Sequence, residues 1–186
     1  MPIGWQGKKT RLVPLDYDRH FENSYQWIND PDVSEWLAVG DFPMARLAEK
    51  EWFDRCQKPS DTEVHFAIET LDGRHIGNSG LFQINARHGT AMSGSLIGVQ
   101  TDRGKGFGSD AAITRAHYSF HVLGLRLMFS EFFVGNTGSE RMQQKVGYLE
   151  YGRKPLAFWK RGAYRDIALT YLTRERFYEL HPDLVK

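Results

Sequence analysis

Between Thr101 and Ala111 the chain reads TDRGKGFGSDA, three glycines and two cations directly before an apolar helical pattern. Glycine loses more backbone entropy on ordering than any other residue, so three of them fixed together need a purpose. One purpose is an anion site. The start of a helix offers unsatisfied N–H groups and the positive pole of its dipole. Glycines let that backbone approach a phosphate and take positive φ, while Arg103 and Lys105 add positive charge. Two common phosphate motifs do not fit: G-x-G-x-x-G lacks its last glycine, and no Gly-Lys pair precedes Ser or Thr as G-x-x-x-x-G-K-[ST] demands. The spacing present is R-x-x-G-x-G, as Arg103, Gly106 and Gly108.

A second reactive candidate is Glu131, in SEFFVGN, flanked by Phe129, Phe132, Phe133 and Val134. Desolvation by these neighbours would raise its pKa toward that of a general base; the alternative is a strand charge facing water. His117 and His121 stand four apart on a helix, but no carboxylate or cysteine has ligand-like spacing to them, so no metal is expected. Cys56, the single cysteine, excludes an internal disulfide and reads as a small core residue.

These residues need a scaffold. KKTRLVPLD reads as a strand, and DYDRHFENSYQWIND as a helix with Phe21, Tyr25 and Ile28 on one side, ended by Pro31. PDVSEWLAV adds a helical turn or two. FPMARLAEKEWFDRC sets Met44, Leu47, Ala48, Trp52, Phe53 and Cys56 on one helical face. Val64, Phe66 and Ile68 alternate in EVHFAIET as in a strand with one buried face. Asp72-Gly73 turns it into RHIGNSGLFQIN, and AMSGSLIGV follows as the third strand of a meander. The glycine turn leads into a helix with Ile113, Ala116, Phe120 and Leu123 aligned and Gly124 at its end. LRLMFSEFFV is a strand buried on most sides. TGSERMQQKVG is a short helix with a Thr137…Glu140 capping box and Gly147 at its C-terminus. YLEYGRKPLAFW and YRDIALTYL form a last hairpin through KRGA, and RERFYELH closes the chain. The expected architecture is α+β, one domain over residues 1–186 around a mixed sheet.

The 186 residues carry a net charge of +1 and 41% hydrophobic content, which suits a folded core and gives no polyanion-binding surface, so no nucleic-acid partner is expected. No apolar run reaches the roughly 20 residues of a membrane span, and MPIGWQGKKT lacks the apolar stretch of a secretory signal. A cytoplasmic protein without a membrane partner is expected.

The R-x-x-G-x-G turn resembles the acyl-CoA pyrophosphate loop of the GNAT N-acetyltransferases. A second GNAT signature, an Asn, a small residue three positions on and K-x-G-[FY], is matched in VGNTGSERMQQKVGY by Asn136, Ser139, Lys145, Gly147 and Tyr148. WINDPDV, LDGRHIGNSGLFQIN and YRDIAL resemble the branch holding ribosomal-protein N-terminal and spermidine acetyltransferases. The similarity runs from about residue 10 to about residue 178.

That resemblance implies the GNAT fold: a mostly antiparallel mixed sheet of about six to seven strands, helices on both faces, and two strands splayed into a wedge for acetyl-CoA. It implies direct attack of an amine on the thioester in a ternary complex. The coenzyme would be held by Ile97, Gly98 and Val99 along the arm, by Arg103, Gly104, Lys105, Gly106, Phe107, Gly108 and Ser109 at the pyrophosphate, and by Asn136, Ser139 and Lys145. Backbone N–H groups near Val99 would polarise the thioester. Glu131, five residues before Asn136, matches the position of a base in relatives. Trp27, Trp36, Phe42 and Tyr148 would border the acceptor, which is a protein N-terminus, a polyamine or another small amine. Several carboxylates between Asp16 and Glu35 offer an acidic pocket or solvated helix faces. Two departures stand out: Gln143 where relatives carry a Tyr acid, and Met92 where cousins carry Glu. They keep a non-catalytic acyl-CoA-binding module as the alternative. Homodimers are common among relatives.

Overall fold

A computed structural model describes residues 4–185. Residues 1–3 and 186, the outermost part of the expected single domain and of the MPIGWQGKKT stretch, lie outside the described residues. Eight strands form one sheet: β1 (Trp5–Gln6), β2 (Thr10–Pro14), β3 (Val64–Thr70), β4 (His75–Asn85), β5 (Thr90–Ile97), β6 (Leu127–Phe133), β7 (Leu149–Lys160) and β8 (Ala163–Thr173), in the order β1-β2-β3-β4-β5-β6-β8-β7. Only β5 and β6 run parallel. The α+β expectation holds, with one strand more than the six to seven expected. The extra strand, β1, has two residues and so no period to read.

Helices cover both faces. On one side α4 (Phe107–His121), α5 (Thr137–Val146) and α6 (Arg174–Leu180) pack over a core that includes Leu12, Ile76, Leu81, Met128 and Phe177. On the other, α1 (Tyr17–Asn29) and α3 (Arg46–Cys56) close a smaller core of Val13, Leu15, Phe21, Phe53, Cys56 and Ala67. The short α2 (Pro31–Ser34) lies between them in sequence.

Three local expectations change. β3 is buried on both faces, because α1 covers the side that carries Ala67 and Glu69. In α3 the inward residues are Glu49, Phe53 and Cys56, while Leu47 is exposed, so the helix is rolled away from its most apolar stripe. Desolvation pushes the Cys56 thiol up to about 12, which leaves it an inert core residue. The cap of α5 is Asn136, not Thr137: its side chain accepts from Ser139 N at 3.0 Å.

Under α1 lies a polar cluster. Buried Glu69 accepts from Arg19 and pairs with His20 Nε2 at 3.0 Å. The His20 ring is 4.6 Å from that of His75, whose Nε2 faces Gly77 O at 2.9 Å. Burial, reinforced by the charge of His20, lowers His75 from 6.5 to about 4. The unfolded chain therefore holds this proton at higher pH than the folded one. Stability is complete above about pH 6.5 and falls as pH drops toward 4, by about 3 kcal/mol for this group alone. Thermal melts across that window are expected to show a falling midpoint, and His75→Gln to flatten the slope. A variant with the parent's slope would locate the loss elsewhere.

Candidate active site

The site begins where β5 and β6 part. Their ladder runs from Thr90↔Leu127 to Ser93↔Ser130 and stops, although β5 continues to Ile97 and β6 to Phe133. Beyond Ser93, β5 keeps β4 as a partner through Gly77↔Ile97, while β6 stays with β8. A wedge opens between them, walled on one side by the edge of residues 94–97 that β6 does not pair. A buried polar knot ties its apex. Ser130 Oγ donates to Ser93 O at 3.1 Å, Ser93 Oγ meets the Tyr148 hydroxyl at 2.7 Å, and Gln143 Nε2 donates to Ser130 Oγ at 3.0 Å. Arg115 from α4, fully buried, donates to Gly94 O and Ser79 Oγ, both at 2.8 Å.

At the outer end of β5 stands the glycine turn. Gly104 and Gly106 take φ of +79° and +89°, the left-handed region that glycine enters without penalty. Gly106 is the N-cap of α4 and supplies no side chain to cap it. The N–H groups of residues 104–109 find no acceptor among the described residues. Six amides at a helix start, with no internal partner, have the donor arrangement that suits an anion. Gly108 packs near Ile97, where an added Cβ would sit 3.5 Å from its Cγ1.

The turn's cations are arranged differently from the expectation. Arg103 does not lie loose over the turn. Its Nε donates to Ile97 O and its Nη1 to Asp32 O, each at 3.3 Å, which ties β5 to α2. Lys105 pairs with Asp102 at 3.4 Å, beside Arg74 on the same carboxylate at 2.5 Å; the Arg74 guanidinium holds the Asp102 carboxyl below its usual range. Lys9, which sequence reasoning missed, donates to Lys105 O at 2.9 Å. Asp110 anchors the whole helix start by accepting from the N–H groups of Lys8, Lys9 and Thr10. An acid in the first turn of α4 was visible in the sequence; its partners, a hundred residues away, were not.

Gly98 and Val99 follow β5. The Gly98 N–H donates to Ile76 O at 3.0 Å and is spent, whereas no backbone group accepts from Val99 N–H. A Cβ at Gly98 would meet the Trp27 indole at 2.0 Å. Trp27 is therefore an interior residue, buried on Gly98 and on the His75 ring at 4.7 Å, and not an acceptor wall. Tyr148 is likewise interior, its hydroxyl in the apex knot. Trp36 and Phe42 do reach the surface. Trp36 stacks on Arg165 at 4.9 Å and borders Gly135 at the end of β6; Phe42 is 85% exposed.

Glu131 sits on the parted stretch of β6 but is not desolvated. It projects to solvent and accepts from Lys154 Nζ at 2.7 Å. The flanking aromatics on its face pack on other rings, Phe129 edge-on with Tyr151 and Phe133 with Phe158. Asn136 uses its oxygen as the α5 cap, which leaves its amide NH2 as the group able to reach a ligand. Lys145 is exposed at the far end of α5, away from Asn136 and Ser139. Met92 pairs with Phe129 inside the closed part of the ladder. Among the described residues no group of three His, Cys, Asp or Glu side chains could hold a metal ion, and no helix is long and apolar enough to cross a membrane.

A parted parallel pair with an uncapped glycine turn at its mouth is the setting in which the comparisons are decisive. The family model described as an acetyltransferase (GNAT) domain matches residues 9–149. The chain belongs to the GNAT family. Curated GNAT relatives from Bacillus subtilis (strain 168) include the SPbeta prophage-derived uncharacterized N-acetyltransferase YokL, 26% identical over 73% of this chain and 75% of that protein. They also include the probable N-acetyltransferase YjcK, 35% identical over 55% of this chain and 56% of that protein. The fold is shared with spermidine N-acetyltransferase from Vibrio cholerae, solved with CoA and spermine, at TM-score 0.81 and 21% identity over 90% of this chain and 97% of that one. RimJ from Mycobacterium smegmatis, solved with CoA-disulfide, gives TM-score 0.77 and 18% identity over 89% of this chain and 82% of that one. This GNAT chain is an acetyl-CoA-dependent N-acetyltransferase.

Substituting Gly106 tests the cradle. Alanine at φ +89° is strained by about 1 kcal/mol and its Cβ would crowd Lys9 Nζ at 3.4 Å. Gly106→Ala is expected to keep the fold and weaken acetyl-CoA binding at least about tenfold by calorimetry, because displaced amides lose charge-assisted bonds to phosphate. Unaltered affinity would remove the turn from the binding site.

Proposed function

We propose that the protein, acting as the single domain 1–186 in the cytoplasm, acetylates a primary amine held between the parted strands and the α2 segment. The observation that carries this reading is the row of unpaired amides on residues 104–109 at the mouth of the wedge. The diphosphate of acetyl-CoA rests on these amides, and the pantetheine arm lies along residues 94–97 of β5 and the following Gly98 and Val99 as an added strand. The Asn136 amide NH2, with Ser139 beside it, meets the arm from the other side. The Val99 N–H polarises the thioester carbonyl.

Chemistry then needs one neutral nitrogen. Its lone pair attacks the carbonyl carbon, the C–S bond breaks, and the proton lost by nitrogen passes to Glu131, directly or through water. Glu131 first releases Lys154, which stands at 2.7 Å. Gln143 offers the thiolate no proton, being held between Ser130 and Thr170, so that proton comes from water. The acceptor is a protein N-terminus, a polyamine or another small amine; the folds shared with the Vibrio spermidine enzyme and with RimJ support this range. Pairing into homodimers belongs to the same proposal, supported by the exposed Tyr151, Leu156, Trp159 and Tyr164 on the outer hairpin.

Free-thiol release across a panel of amines tests transfer, with Glu131→Gln run beside the parent. Loss of the base is expected to lower kcat by about a hundredfold or more, leaving acetyl-CoA affinity unchanged. A variant as fast as the parent would assign proton removal to water.

A further inference from the structure

The sheet's outer hairpin contains a lysine with no business in an interior. Lys160 closes β7 and is 1% exposed. Its ammonium donates to Ser34 O at 3.2 Å, Val39 O at 3.3 Å and Asp41 Oδ1 at 2.7 Å. An ammonium has three protons, and here each has an acceptor. Burying a charge costs several kcal/mol unless its bonds are this complete, so the site is built around the lysine.

All three acceptors lie on one stretch, residues 34–41, which begins at the end of α2. The stretch is folded back tightly on itself. Gly40 has φ +86°, and a Cβ there would come within 2.5 Å of Ser34 Cβ. Arg161, next to Lys160 in the hairpin turn, grips the start of α2 by donating to Pro31 O at 2.5 Å. Two adjacent hairpin residues thus hold the start of α2 and the 34–41 stretch that follows it.

Together with α2, that stretch bridges the open end of the wedge. On the β5 side Arg103 joins Asp32 O to Ile97 O. On the β6–β8 side Glu35 pairs with Arg165 at 3.2 Å and Trp36 borders Gly135. The outer surface of the bridge lines a cleft of about 360 Å³ that includes Asn29, Asp41, Phe42 and Arg161.

We propose that Lys160 is a positioning residue for the acceptor: its buried ammonium fixes the 34–41 segment, and so the shape in which Glu35, Trp36 and Phe42 meet the incoming amine. This rests on the acetyl-transfer reading above. Lys160 has no contact with the coenzyme turn, so it acts on acceptor recognition and not on acetyl-CoA binding.

Lys160→Met keeps the volume and removes the charge, and it leaves Asp41 free to hydrate, since that side chain is 45% exposed. Asp41→Asn and Gly40→Ala disturb the same segment from the other side. For the parent and all three variants, acetyl-CoA affinity is measured by calorimetry, and amine KM and kcat by thiol release. Lys160→Met is expected to raise amine KM by about tenfold or more, with kcat and acetyl-CoA affinity within about threefold of the parent, since displaced binding groups act on the substrate they position. Asp41→Asn and Gly40→Ala move amine KM the same way by less. Parent-like amine KM in the variants that fold would overturn the proposal, as would a joint collapse of kcat, amine KM and acetyl-CoA affinity. If Lys160→Met does not fold, the other two variants decide. A parent that neither binds acetyl-CoA nor transfers acetyl would instead overturn the transferase reading, and is read without any variant.

Discussion

The parting of β5 from β6 after Ser93 and Ser130 governs everything else in this molecule. Two parallel neighbours would ordinarily continue their ladder, because unpaired backbone in an interior costs free energy. Here the last pair is bound by side chains as well as backbone: Ser93 Oγ and Ser130 Oγ each donate across the junction, and Thr170, Gln143 and Tyr148 complete the knot. Arg115 then holds Gly94, the first residue beyond it, toward α4. Buried polar networks of this kind specify one geometry because any half-satisfied alternative is costly. The strands can separate without slipping, and the backbone exposed between them is left for a ligand that pairs like a strand.

The anion cradle follows the same economy. Its charge comes from fixed amide dipoles, while the nearby side-chain cations are occupied: Arg103 with two carbonyls, Lys105 and Arg74 with Asp102. Those ion pairs shape the turn more than they attract the ligand. In the proposed binding mode a cradle made of backbone does not titrate and would need no rearrangement for a phosphate, whereas flexible lysines would have to be ordered at an entropic cost. Asp110 adds the remaining constraint by fastening the start of α4 to the turn before β2.

Much of this was legible in the chain because it rests on local rules. Positive φ at Gly104 and Gly106, the end of α5 at Gly147 and the Asp72-Gly73 turn are properties of single residues and their neighbours. What was not legible depends on partners distant in sequence. Glu131 looks desolvated among aromatics, yet those rings pair with Tyr151 and Phe158 across the sheet and leave the carboxylate to Lys154. Trp27 looks like a wall residue until Gly98, seventy-one positions on, proves to be the space it fills. The Asn136 cap displaced a capping box centred on Thr137 by one residue, which is the ordinary uncertainty of helix ends.

The same distinction bears on the acceptor. The carboxylates between Asp16 and Glu35 read in sequence as a possible acidic pocket, but most are already engaged. Asp16 and Asp30 cap helices, Glu22 pairs with Arg46, and Glu35 pairs with Arg165. Around the wedge Glu131 has Lys154 and Asp41 has Lys160. A polycation entering here would compete for each carboxylate with a tethered arginine or lysine, and an exchange of one cation for another gains little in partly hydrated surroundings. An acceptor with one amine beside an apolar or aromatic group asks less of the site. In the proposed reaction Trp36 and Phe42 would receive such a group, and a single opened pair, Glu131 with Lys154, would free the proposed base for its nitrogen.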